Sequence, residues 1–224
     1  ARVAVGRRAF DQAIAIYYLI LKDHPNDPNA HMELAEAYVA QGDVSDGIFE
    51  YDRALAINPK NGSVYNNLGL IYARDGESDR AIAAYKKAIA FDPNLVAAYL
   101  NLANVEFQSG KFAEARQSLE DALRIDPHNY IIWMNYGVMA TATGNLDSGE
   151  LCFRTAIYYN SRSSDACLNL GMVLLRQSDR PKAKSRVNEA IGYFKRALAL
   201  DPKNARATAN LAAAERRRDR ENNE

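Results

Sequence analysis

The chain has few of the residues that usually carry chemistry. Its 224 residues include three histidines and two cysteines. Cys152 and Cys167 form no C-x-x-C motif, and two thiols do not make a disulfide framework, so both are expected to be free. His24, His31 and His128 are dispersed and lack a metal-ligand spacing. No glycine-rich phosphate loop follows a strand, because no segment reads as a strand. Excess charge of one sign is missing as well: 28 Lys and Arg balance 28 Asp and Glu. Binding to nucleic acid through counterion release needs clustered cations, and none occur before the C-terminal tail. No apolar run approaches the ~20 residues that a membrane-spanning helix needs, and no signal peptide is visible. These absences argue against catalysis, a metal, a cofactor, a nucleic-acid partner and membrane insertion within this segment.

What is present is repetition. Pro25, Pro59, Pro93 and Pro127 are spaced 34 residues apart. The next step falls on Ser161, and the next proline that ends a repeat, Pro202, comes seven residues later than the period requires. Repeats are numbered here so that this proline is position 32. They then span 28–61, 62–95, 96–129, 130–163 and 164–204, with a partial repeat at 1–27 and a terminal segment at 205–224.

Each repeat shows two amphipathic helical patterns around a short turn. Position 8 is small throughout: Ala35, Gly69, Ala103, Gly137 and Gly171. Position 15 is Gly42, Gly76, Gly110, Gly144 and then Ser178, and glycine suits a left-handed helix end. Position 24 is large (Tyr51, Tyr85, Leu119, Phe153, Phe194) and position 27 is always Ala (Ala54, Ala88, Ala122, Ala156, Ala197). One such hairpin cannot bury its own apolar face, so neighbouring hairpins must stack.

This pattern resembles the tetratricopeptide repeat: 34 residues, small at 8 and 20, aromatic at 24, Ala at 27 and Pro at 32. The resemblance covers 28–204 fully and both flanks in part. It implies an all-α right-handed superhelical solenoid whose function is to bind or scaffold proteins, not to act as an enzyme.

Position 6 carries a recurrent amide: Asn67, Asn101, Asn135 and Asn169, with Asn210 in the terminal helix and Glu33 in the first full repeat. It points about 100° away from the packing residue at position 7. In the family, this outward face of the first helix lines the groove, together with positions 2, 5, 9, 12 and 13. A carboxamide offers one acceptor and two donors, which suits a peptide backbone. The row is similar to the asparagine ladder in the superhelix of O-linked N-acetylglucosamine transferases. The expected peptide-binding set is Asn67, Asn101, Asn135, Asn169 and Asn104, with apolar contacts from Leu100, Phe107, Met134 and Met172. Position 5 also brings Met32, Asn66 and Leu168 toward the groove, and position 9 brings Glu36, Leu70 and Val138. The lysines that co-chaperones of this family use to clamp a C-terminal carboxylate are missing at position 5, which excludes that mode.

Three further expectations concern the departures from the pattern. The seven extra residues of the fifth repeat should start its second helix about two turns early and project a basic knob of Lys182, Lys184 and Arg186. The partial first repeat lacks its first helix, so the natural protein is expected to extend upstream. Segment 205–220 should form a capping helix with Ala207 and Leu211 on its packing face. The expected partner is a protein or peptide. Two alternatives stand beside the groove reading: self-assembly as a homo-oligomer through the ends or the convex face, and service as the targeting region of a larger enzyme such as a glycosyltransferase.

Overall fold

A computed structural model describes residues 2–178 and 185–221, except for the side chains of 2–8 and 221. The described residues are all-α. The helices are α1 (Arg2–Asp23), α2 (Pro28–Gln41), α3 (Val44–Ile57), α4 (Gly62–Arg74), α5 (Ser78–Phe91), α6 (Val96–Gln108) and α7 (Phe112–Ile125). They continue as α8 (Tyr130–Ala142), α9 (Leu146–Tyr159), α10 (Ser164–Gln177), α11 (Ser185–Leu200) and α12 (Ala205–Glu221). The chain forms two compact halves, Ala1–Ala115 and Arg116–Glu224. Within each half, consecutive helices pack as antiparallel-type hairpins joined by short turns.

Local sequence sets the helix boundaries. The Asp27 side chain accepts from the backbone N–H groups of Asn29 and Ala30, and Pro28 occupies the first helical turn of α2. Asn61, Asn129, Ser163 and Asn204 cap α4, α8, α10 and α12 in the same way. Such caps contribute about 1 kcal/mol each. Gly42 turns the chain out of α2 at φ 107°, a left-handed conformation that costs a residue with a Cβ. Ser178 in the equivalent place has φ −67°, so the fifth repeat leaves its first helix differently.

Packing follows the small-against-large rule. A Cβ placed on Gly137 would lie 2.6 Å from the Phe153 ring, and one on Gly171 would lie 2.6 Å from the Phe194 ring. At Gly137 and Gly171 the absence of a side chain is therefore what lets the position-24 ring pack so closely on the first helix, while in the first repeat Ala35 packs in one cluster with Tyr51. Ala54, Ala88, Ala122, Ala156 and Ala197 have no exposed surface.

Position 4 has a recurring role. His31, Tyr99 and Trp133 each donate to the carbonyl oxygen of the preceding inter-repeat proline: Pro25 at 3.1 Å, Pro93 at 3.3 Å and Pro127 at 2.9 Å. Cys167, a poor donor, takes this place in the fifth repeat. There the Arg196 guanidinium donates instead to the carbonyl of Ser161, at 2.8 Å. Burial raises the Cys167 thiol and pushes that of Cys152 up to about 11. Both behave as packed filler, free of any disulfide.

The basic knob needs correction. Arg186 does not project: it donates to the Glu150 carboxylate at 2.8 Å, and Arg154 bonds both Glu150 and Glu189. Burial favours the neutral Glu150 carboxyl, but hydrogen bonds from Arg186 and Arg154 outweigh it and hold the group below its ordinary value. The first described residue of α11 is Ser185. Lys182, Lys184 and the helix start expected there lie outside the described residues.

Along the terminal helix Ala207 and Ala214 are fully buried, and Leu211 is half-buried against the core of the C-terminal half. At the other end, Ile16, Leu19 and Ile20 on α1 are 56%, 65% and 36% exposed. The equivalents of Ile16 in the next three repeats, Glu50, Ala84 and Ser118, are buried.

Candidate functional site

The position-6 amides fall into two groups. In the N-terminal half they are wired together. The Asn101 amide donates to the Asn66 carbonyl at 3.0 Å, and Asn66 donates to Asn67 at 3.4 Å. Asn67 in turn donates to a carboxylate oxygen of Glu36 at 2.8 Å. The chain of bonds passes from α6 through α4 to α2. It ends on a carboxylate, the strongest acceptor in the row. Sequence reasoning placed Asn66 and Glu36 on the groove face but missed that they link the amides.

In the C-terminal half no such chain forms. Asn135 is exposed, Asn169 is half-buried, and neither makes a hydrogen bond among the described residues. The reason is chemical. Position 5, which supplies the bridging amide of Asn66 in the second repeat, is Met134 and Leu168 here. Position 9, which supplies the Glu36 acceptor, is Val138 and Met172. Asn210 leaves the row altogether, because its amide donates to the Arg206 carbonyl of its own helix at 2.8 Å.

The other expected residues divide in the same manner. Asn104 is exposed and accepts from Gln108 at 3.2 Å. Leu100 is half-buried. Phe107 is half-buried, with its ring 5.3 Å from that of Phe112. Met134 and Met172 lie against the buried core of the C-terminal half, as does Leu175. Leu168 is a correction: it is 1% exposed and belongs to that core, not to the groove. Val138, Leu70 and Ile131 are 45%, 46% and 44% exposed and stand on the open surface.

The amide chain also borders a cavity of about 590 Å³ on the face shared by α2 and α4. Its floor is Tyr51, and its walls include Val39, Leu70 and Ile71. Asn67 is the only residue of the expected peptide-binding set that lines it; Glu36 and Arg74 supply its charges. Burial, with the nearby Glu36 and Glu33 carboxylates, holds the Tyr51 phenol well above its ordinary value, so it stays neutral. Arg74 was not singled out in the sequence, although it stands at a groove position that is Arg176 in the fifth repeat and Ala40, Gln108 and Ala142 in the others.

His31 is no ligand or catalyst. It has no exposed surface, and its Nδ1 lies 2.5 Å from the Glu50 carboxylate. Among the described residues no group of His, Cys, Asp and Glu is placed to hold a metal ion. None of the described helices is long and apolar enough to cross a membrane.

Three tetratricopeptide-repeat family models match residues 4–71, 62–128 and 100–158. Together they cover well over half of the chain without a gap. The chain is a tetratricopeptide-repeat protein. No curated protein sequence matches it at a significant level. Solved structures do. The type IV pilus biogenesis factor PilW aligns with a TM-score of 0.76 at 22% identity, over 91% of each chain. The pilF protein of Pseudomonas aeruginosa aligns with a TM-score of 0.70 at 18% identity, covering 95% of this chain and 100% of its own. YrrB, described as having an unusual peptide-binding site, aligns with a TM-score of 0.62 at 16% identity, covering 86% of this chain and 96% of its own. At these identities the likeness concerns the fold alone.

Proposed function

We propose that this tetratricopeptide protein holds an extended segment of a partner protein along the face formed by the first helices of its repeats. The observation that carries this reading is the hydrogen-bonded row Asn101–Asn66–Asn67–Glu36. Bonds within the row fix the rotamers of the amides before a ligand arrives, which removes part of the ordering cost of binding. Each carboxamide has two N–H donors, so Asn101 keeps a second N–H for a backbone carbonyl, while Asn67 also bonds the Tyr51 hydroxyl. Asn135 and Asn169 carry no internal bonds and offer their whole amides, at a higher cost in side-chain entropy. Leu100, Asn104, Phe107, Met134 and Met172 add further contacts beside the row, and methionine adapts its shape to different side chains.

The test is a selection from a random peptide display library on immobilised protein, followed by calorimetric titration of the selected peptides. Asn101→Ala combined with Asn135→Ala should weaken them by about 1–3 kcal/mol, as two hydrogen bonds at ~0.5–1.5 kcal/mol each require. Equal affinity for wild type and double variant removes the groove reading.

A second reading, self-association, is favoured by the exposed Ile16, Leu19 and Ile20 of α1. They share one helix face by their i, i+3 and i+4 spacing. In complete repeats the equivalents of Ile16 and Ile20 are buried, whereas those of Leu19, Arg53 and Lys87, are exposed, so a second copy of the chain would cover Ile16 and Ile20. Light scattering across a concentration series should show a mass that rises for the wild type and stays at the monomer value for Ile16→Glu with Leu19→Glu. A wild type that remains monomeric throughout rules this reading out.

A further inference from the structure

The amide row ends in a cavity that is more than a continuation of it. Its two charged residues stand at opposite ends. Glu36 sits beside Asn67, to which it is bonded at 2.8 Å. Arg74 lies seven residues further along α4, which at the helical rise is roughly 10 Å away. Between them the surface is apolar, made by Val39, Leu70 and Ile71 over the buried Tyr51 ring. The Asn67 side chain is neutral, so its bond brings no opposite charge to Glu36. Arg74 is only loosely engaged, with its Nε 3.8 Å from Asp75 and both side chains about half exposed. A pair of that kind is worth little.

We infer that this cavity selects the sequence of the bound segment, taking a lysine or arginine at Glu36 and an aspartate or glutamate at Arg74. The inference rests on the groove reading given above and adds specificity to it. Residues two apart on an extended chain point to the same side and are separated by about 6.6 Å. Two long side chains reaching outward, together with that of Arg74, span the remaining distance to both ends of the cavity. The aliphatic stems of the ligand's charged side chains lie over the apolar wall while their heads meet the ends, as such side chains do elsewhere. The ligand motif is therefore basic-x-acidic or its reverse, depending on which way the segment runs. A singly charged or wholly apolar segment leaves one end unmatched.

The same display selection tests this. Peptides carrying a basic and an acidic residue two positions apart should be enriched. Replacing either residue with alanine should weaken the peptide about tenfold, the size of one lost charge-assisted hydrogen bond. Glu36→Gln keeps an oxygen to accept from Asn67 but removes the charge, so it should abolish the preference for the basic residue and leave the acidic one. Arg74→Gln should do the converse. Peptides that depend on Asn101 and Asn135 yet show no charge pattern, or bind the Glu36→Gln protein equally well, overturn the cavity inference and leave the groove reading standing. A selection that yields no peptide sensitive to the asparagines overturns both.

Discussion

Replacing His31 with leucine is expected to destabilise the N-terminal half by about 3–5 kcal/mol, the cost of stranding one partner of a buried polar pair. His31 has no exposed surface and Glu50 is 4% exposed. The ring nitrogen Nε2 faces the Pro25 carbonyl oxygen at 3.1 Å. A carbonyl only accepts, so Nε2 carries a hydrogen. Nδ1 is then the nitrogen that holds Glu50, at 2.5 Å. Leucine fills the space but leaves the Glu50 carboxylate with only Arg53, 3.7 Å away and half exposed. The chain itself contains the compensated version. The second repeat has Tyr65 and Ala84 where the first has His31 and Glu50. The double variant His31→Tyr with Glu50→Ala should therefore recover most of the lost stability. Urea denaturation of the wild type, the His31→Leu variant and the double variant decides the matter. If the double variant is as unstable as His31→Leu, the pair is not the source of the cost.

Phe194→Ala should cost a similar amount, about 3–5 kcal/mol for a fully buried aromatic. The ring has no exposed surface and packs against Gly171, where a Cβ would stand 2.6 Å away. The same contact predicts a change of sign at the glycine. Gly171→Ala alone should lose stability, because the added methyl meets an immobile ring and overpacking costs about 1–3 kcal/mol. In the Phe194→Ala background it should gain stability, by filling part of the cavity and by its better helix propensity, roughly 1 kcal/mol. Repeat proteins are stabilised mainly by neighbour contacts, so the loss should be local. Amide hydrogen exchange should accelerate in α10, α11 and α12 while α2 to α5 keep their protection. Uniform acceleration across both halves would contradict this account.

The legible part of the fold was set by features that act within one or two turns of chain. Gly42 at a helix end, Pro59 between repeats and Ala54 at the small packing position each have one sensible place in a helical hairpin. The fifth repeat was harder to read because charged residues serve two purposes. Arg186 looked like part of a solvent-facing cluster, yet it pairs with Glu150, whose partner role only the packing of α9 against α11 brings about. Leu168 was misplaced for a related reason. Position 5 holds an amide, a methionine or a leucine in different repeats, and an apolar side chain there can turn into the hairpin stack when its neighbours leave room.

By itself, the sequence determined that this protein is a row of helical hairpins, with the positions of its small and large packing residues and the repeated amide at position 6. Those properties depend on residue type and spacing alone. Only the tertiary structure decided what the amides do. Asn67 and Asn135 occupy the same position of their repeats, but Asn67 is tied between Asn66 and Glu36 while Asn135 stands unbonded. The difference comes from the side chains that adjacent helices bring alongside, at positions 5 and 9, where the repeat pattern imposes no residue. A hydrogen bond forms between groups held within about 3 Å, and helix packing, not spacing along the chain, sets that distance.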